Sequence, residues 1–262
     1  MTASAADRIA QARADLSQVR RDLTAALTTE RSRRRGPMVR MLHEVQGMLT
    51  PGYPYASQAG QDRAVARILR GKRGGTFLDI GAYDGITGSN SLYFEKYLGW
   101  TGVLVEPVKA HREKAQLWRS SPCLPYAIAD HDGEANFIAV TQGYTQMSGL
   151  ADRYDDAMLT RVRSDPRHAE DRITVPTRTL NAIFEEAGMA EVDFVSLDIE
   201  GGELAALRAF DHDRYRVGVW AIENNAASPE IPRLMREYGY NLAEFCGVDD
   251  IFVRGDLSTN LA

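Results

Sequence analysis

The chain has 262 residues, 44% of them hydrophobic, with a formal net charge of −5. That is enough for one substantial core with appendages, and the acidic balance argues against nucleic acid drawn by a global basic field. Cys123 and Cys246 fit neither a metal knuckle nor a disulfide framework, no apolar run approaches the ~18 residues of a membrane span, and the charged N-terminal stretch lacks the apolar core of a secretory signal. The expectation is a reduced, cytoplasmic protein.

Residues 1–36 form the first segment. Ala5, Ile9, Ala12, Leu16, Val19, Leu23 and Ala26 recur at spacings of four and three, with Arg, Asp and Gln between them. The pattern predicts one amphipathic helix, ending in a solvated basic run, Arg31–Arg35, and broken by Gly36-Pro37. Such a seam suits a homo-oligomer formed through residues 5–27; packing on the chain's own domain is the alternative. Residues 37–75 read as a helical lead-in. Met38–Leu49 forms a second helix, Thr50–Pro54 a turn, and Ser57 the N-cap of a stretch carrying Val65, Ile68 and Leu69.

Residues 76–262 alternate as an α/β domain does. Strands are predicted at 76–80, 102–106, 124–128, 193–198 and 218–223, with a closing pair near 240–245 and 250–254. Helices are predicted at 91–98, 110–120, 180–187, 203–209 and 231–238. Right-handed connections make this a doubly wound sheet with its ligand beyond the carboxyl ends of the strands. Residues 135–176 interrupt the alternation and are too long for a simple connection. They are expected to cover the acceptor side.

The chemistry begins in Thr76–Ser91, TFLDIGAYDGITGSNS, a strand, a glycine turn and a helix start. Its Asp79-x-Gly81-x-x-x-Gly85 departs from the G-x-G-x-x-G that seats a diphosphate on a helix N-terminus. A second acid, Glu106, ends the next apolar run. A carboxylate there can accept both hydroxyls of a ribose, so the pair suits a positively charged nucleoside such as S-adenosylmethionine. Asp79, Gly81, Ala82, Tyr83, Gly85, Asn90, Glu106 and Pro107 are the expected cofactor residues, with Asp198 reaching the same site.

Asp198-Ile-Glu200-Gly-Gly-Glu203 ends the 193–198 strand, and Glu223-Asn224-Asn225 ends its neighbour. Strand alternation points Asp198 and Glu200 to one side. Converging acids have two uses. Asp198, Glu223 and Asn224 are a candidate oxygen site for Mg²⁺. Alternatively, one of Asp198, Glu200 and Glu223, raised in pKa by the others, takes a proton from a hydroxyl. His131, His168 and His212 are the rival bases, with His168 best placed in the expected cover.

In order, DIGAYDG (79–85), VLVEP (103–107), SLDIEGGE (196–203) and WAIENN (220–225) resemble the FkbM family of S-adenosylmethionine-dependent methyltransferases, over Ser57 to Arg254. The resemblance implies a class I, Rossmann-like, seven-stranded sheet. It also implies O-methylation of a hydroxyl on a small-molecule or glycan acceptor, a sugar or a secondary metabolite. It places Ala129 and Asp130 beside the adenine and the polar Ser57–Asp62 segment near the methionine end. Many such sequences carry Lys where this chain has Ser196, so no role of that lysine transfers. Two readings from other classes stay open. An NAD or nucleotide-sugar enzyme is opposed by the missing G-x-G-x-x-G. A non-catalytic interaction module is opposed by intact Asp79, Gly81, Gly85 and Glu106.

Overall fold

A computed structural model describes residues 4–154 and 156–258. It opens with helices α1 (Ala5–Leu27), α2 (Arg35–Leu49) and α3 (Gln61–Ile68). Then come β1 (Thr76–Ile80), α4 (Leu92–Leu98), β2 (Thr101–Val105), α5 (Lys109–Trp118) and β3 (Cys123–Leu124). The middle of the chain holds β4 (Ala127–Ile128), β5 (Gly133–Gln142), β6 (Gly149–Leu150), α6 (Asp156–Arg163) and β7 (Ala169–Arg178). It is followed by α7 (Leu180–Glu186), β8 (Glu191–Leu197), α8 (Glu203–Ala209), β9 (Arg216–Glu223) and α9 (Glu230–Glu237). Strands β10 (Tyr240–Cys246) and β11 (Asp249–Arg254) and a turn of helix, α10 (Gly255–Ser258), complete it.

Seven strands form the main sheet in the order β10-β11-β9-β8-β1-β2-β3. Only β11 runs against its neighbours. This is the doubly wound α/β sheet that the alternation implied. Chain order reverses between β1 and β8, the switch point where such sheets leave a crevice. Both faces are covered, so successive apolar residues serve opposite cores. Leu78, Ile80, Val195, Leu197 and Trp220 pack under α7, α8 and α9. Phe77, Phe194, Val219 and Ile251 pack under α3 and α4.

The reversal of β11 matters for the site. Gly247 and Val248 turn the chain between β10 and β11, and Asp249 pairs with Glu223. The start of β11 therefore lies at the edge where β1, β2, β8 and β9 end.

Two expectations need correction, and the segment that interrupts the alternation acquires a definite structure. The 124–128 strand is two strands in two sheets: β3 pairs with β2, while β4 pairs with β7. Pro125 sits between them, has no N–H to donate and ends the first ladder. Residues 135–176 are mainly a second, four-stranded sheet, ordered β4-β7-β5-β6. Its β5 and β7 pair antiparallel from Gly133↔Thr177 to Gln142↔Ala169, with Phe137, Ala139, Leu150 and Val175 buried on one face. Ser57 does not cap α3: the N-cap is Gly60, with φ +85°, and Ser57 Oγ donates to Asp62 and accepts the Gly60 N–H.

The N-terminal region also differs. The first helix stops at Leu27, and Gly36-Pro37 falls in the opening turn of α2, where proline loses no intrahelical bond. Gly36 is required there: a Cβ would meet the Gly247 carbonyl oxygen at 2.0 Å. The basic run is not a solvated helix end. Arg35 pairs with Glu244 at 2.6 Å, and Arg33 reaches the buried Asp250 and the carbonyl oxygens of Val248 and Asn224. Helix α1 itself lies against α2 with no fully buried residue; Ile9 is 60% and Val19 42% exposed.

Candidate functional site

A cavity of about 310 Å³ opens at the carboxyl edge of the sheet over the β1/β8 switch point. The glycine turn after β1 forms one wall. Gly81 N and Ala82 N donate to Val105 O at 3.0 and 3.1 Å, hinging the turn on β2. Gly81 has φ +84°, and a Cβ there would lie 1.6 Å from Asp198 O, so only glycine lets the ends of β1 and β8 pass so closely. Two non-glycine residues of the wall are also left-handed, Tyr83 (φ +49°) and Glu200 (φ +55°). Such strain is concentrated at functional sites.

Glu106, the first residue past β2, is buried at one end of the cavity. Its Oε2 accepts the Tyr83 N–H (3.1 Å) and its Oε1 the Val108 N–H (2.8 Å). Each oxygen keeps a lone pair for a further donor. His111 lies on α5 beside it, with Nδ1 3.6 Å from Glu106 Oε1. That buried Nδ1 has no hydrogen-bond partner among the described residues, and the ring packs edge-on to Tyr83. The Tyr83 hydroxyl in turn meets Thr145 Oγ1 at 2.6 Å, fastening the 143–148 loop over the cavity.

Asp79, next to last in β1, is a buried acid. Its Oδ2 accepts from Ser91 Oγ (2.5 Å) and Ser89 Oγ (3.2 Å), and Arg119 braces both serines and Gly85 O. Asn90 faces the same space. Its Nδ2 donates to Ser196 Oγ at 2.9 Å, while its buried Oδ1 has no partner among the described residues. Two unsatisfied polar atoms, on Asn90 and His111, thus line one cavity. In a folded protein such atoms usually have a partner.

The opposite end is acidic. Asp198, Glu200 and Glu223 offer carboxylate oxygens all within 4.8 Å of one another. Asp249 joins them from β11, where Gln61 Nε2 donates to it at 2.9 Å. Glu203 sits behind, accepting the Ile199 and Gly201 N–H groups. Burial, and then Asp249 and Glu203, push the Asp198 carboxyl up to about 8. Burial and Asp198 hold Glu200 and Glu223 well above the ordinary carboxylate range. Burial also takes Asp249 up to about 6. Without a cation, this end therefore retains protons at neutral pH.

The structure brings together Asp79, Gly81, Ala82, Tyr83, Asn90, Glu106, Pro107, Asp198, Glu200 and Glu223 around the cavity. Gly85 stands behind the turn against Ala115 and Arg119. Ala129 and Asp130 are not in the wall: Asp130 pairs with Arg153 (3.0 Å) and His131 (2.7 Å), and Tyr126, Ala127 and Ile128 line the cavity instead. His168 is also outside it: it stands just before β7 of the second sheet, where its Nε2 meets Glu170 at 3.0 Å. His212 stacks on Tyr238, away from the cavity. Asn224 is turned from the acids, its amide committed to Asp250 (2.8 Å) and Ser228. Of the Ser57–Asp62 segment, Gln58, Ala59 and Gln61 reach the wall. Sequence reasoning missed His111 and Asp249. Nothing in the sequence marks His111; Asp249 becomes legible once the last strand is known to run antiparallel.

A crevice at the switch point, with one acid near the end of β1 and another just past β2, defines a Rossmann-like domain of the methyltransferase class. Residues 79–242 match the methyltransferase FkbM domain, and the chain belongs to that family, whose cofactor is S-adenosylmethionine. Among solved structures, the chain is similar to a methyltransferase FkbM from Methylobacillus flagellatus KT, at 13% identity and TM-score 0.42; 90% of this chain covers 58% of that one. It is also similar to a SAM-dependent methyltransferase from Aquifex aeolicus, at 12% identity and TM-score 0.34, with 80% and 95% covered. A third is the CurJ carbon methyltransferase, at 12% identity and TM-score 0.32, with 93% and 69% covered. Comparison with curated proteins gave no match.

Proposed function

We propose that the chain is an S-adenosylmethionine-dependent O-methyltransferase acting on a hydroxyl of a sugar, glycan or secondary metabolite. One observation carries this reading: a single cavity has a buried carboxylate with lone pairs to spare, Glu106, at one end and a group of proton-holding carboxyls at the other. Glu106 accepts the ribose hydroxyls on its free lone pairs. His111 Nδ1 and Asn90 Oδ1, both lacking partners, gain them from the nucleoside and the methionine end. Bound there, S-adenosylmethionine supplies an electrophilic methyl on a positive sulfonium. Asp198, Glu200 and Glu223 take the hydroxyl proton, and a nearby positive charge favours the ionised form they need for it. Alignment does much of the remaining work.

The test is calorimetric titration of S-adenosylhomocysteine into wild-type protein and Glu106→Ala. A carboxylate hydrogen-bonded to ligand contributes about 1.5–3 kcal/mol, so the variant should bind roughly 10- to 100-fold more weakly. Equal affinity would remove Glu106 from the site.

A second reading rests on the 4.8 Å grouping of Asp198, Glu200 and Glu223. Those oxygens suit Mg²⁺, which would polarise a bound hydroxyl. Glu200 then stands where Asn224 was expected. Transfer that stops in EDTA and returns with Mg²⁺ supports this reading; transfer unchanged in EDTA leaves the carboxylates as the base.

A further inference from the structure

A second cavity of about 310 Å³ has Glu200 and Glu223 in its wall, the same two carboxylates that close the acidic end of the first. The two spaces therefore meet at these side chains. The junction is held from the other side as well: Tyr154 lines the second cavity, and its hydroxyl donates to the carbonyl oxygen of Met147, which lines the first, at 2.6 Å. Met158, Leu204 and Ile231 beside Tyr154 form an apolar wall of the second cavity; Glu203, Asn224, Asn225 and Ser228 supply further polar groups. Among the described residues, no lysine, arginine or histidine lines it.

We propose that this second cavity is the acceptor site of the transferase, and that it takes an uncharged hydroxyl compound with an apolar face. The inference rests on the methyltransferase reading and adds the route and charge of the acceptor. A hydroxyl presented from this side reaches Glu200 and Glu223 without crossing the nucleoside. Its oxygen bonds to the methyl carbon as the carbon–sulfur bond breaks, with that electron pair staying on sulfur. The hydroxyl proton passes to Glu200 or Glu223, giving a methyl ether and S-adenosylhomocysteine. An anionic acceptor would have to leave water for a wall that offers no lysine, arginine or histidine to neutralise it, a cost that selects against phosphorylated substrates. Tyr154 offers a ring face for the apolar side of a neutral one.

The probes are 4-nitrophenyl β-D-glucopyranoside, which is neutral with an aromatic face, and its 6-phosphate. Each is titrated into wild-type protein saturated with S-adenosylhomocysteine, with binding read by saturation-transfer NMR. The comparison variant is Ala226→Trp, because Ala226 is an exposed residue of this cavity alone. The neutral probe should bind, its phosphate at least tenfold more weakly, and Ala226→Trp should lose the neutral probe while holding S-adenosylhomocysteine as before. Leu204→Ala, which thins the apolar wall, should also weaken the neutral probe, and it serves if the tryptophan variant does not fold. Absence of neutral-probe binding to the loaded protein overturns the proposal. So does a phosphate that binds as well, or undiminished binding to both variants. S-adenosylhomocysteine that fails to bind the wild type removes the methyltransferase reading itself, whatever the glucosides do.

Discussion

The two ends of the switch-point cavity use the same functional group in opposite surroundings. Glu106 is met by backbone N–H groups on both oxygens and lies at the start of α5, where the helix dipole favours a negative charge. The Asp198 end gathers carboxylates from two parallel strand ends, β8 and β9, and one antiparallel strand start, and they raise one another. On the proposed reading the first arrangement serves binding and the second proton transfer. The difference is set by backbone donors, and every carboxylate involved has the side-chain chemistry of Asp or Glu alone.

The largest effect that separates the ends should come from Asp198→Asn. General-base and charge effects of this kind contribute about 10²–10⁴-fold. Turnover should fall by that order, while affinity for S-adenosylhomocysteine changes by no more than about threefold, 0.6 kcal/mol. The reverse pattern, weak binding with preserved turnover of bound cofactor, would merge the two ends into one binding device. Glu106→Ala is the complementary variant, smaller in total effect and confined to cofactor affinity.

The ends also differ in how pH acts on the folded protein. The Asp198 carboxyl ordinarily ionises near 3.8 and is pushed up to about 8 in the folded chain. Between those values the unfolded chain loses a proton that the folded chain keeps. Stability from this group is thus complete below pH 4, declines through neutrality and is gone above pH 8. The melting temperature of ligand-free protein should therefore fall from pH 5 to pH 8.5, and less steeply in Asp198→Asn. Equal slopes would place the stored protons on other groups.

Much of this contrast was legible in the sequence. Asp79, Glu106, Asp198, Glu200 and Glu223 each end an apolar run, and a parallel sheet carries such ends to one edge without knowledge of any contact. Long-range placement was harder. Asp249 opens its strand, and only the antiparallel pairing of β11 brings it beside Glu223. His168 sits in a polar stretch that read as a cover, because β5 and β7 are buried on alternating faces that look irregular in a 42-residue window of 135–176. The basic run before Gly36 looked like a solvated helix end. Its partners, Asp250 and Glu244, lie 217 and 209 positions away.

The smallest expected effect on stability concerns α1, and it separates the helix from the clamp that follows it. Deleting residues 1–28 removes a helix with no fully buried side chain but spares Arg33 and Arg35, which hold α2 to β10 and β11. Half-buried Leu16, Leu23 and Leu27 are the apolar residues whose cover is lost. Partial burial of a leucine is worth at most about 1.5 kcal/mol, and a chain of this size shifts about 2–4 °C per kcal/mol. The truncated protein should melt within roughly 18 °C of the full chain and bind S-adenosylhomocysteine unchanged. If the exposed Ile9 and Val19 face a second copy, light scattering of the full chain will give a mass above 29.1 kDa that falls to the monomer on deletion. A full chain that is already monomeric removes self-association and leaves α1 as an external brace on α2.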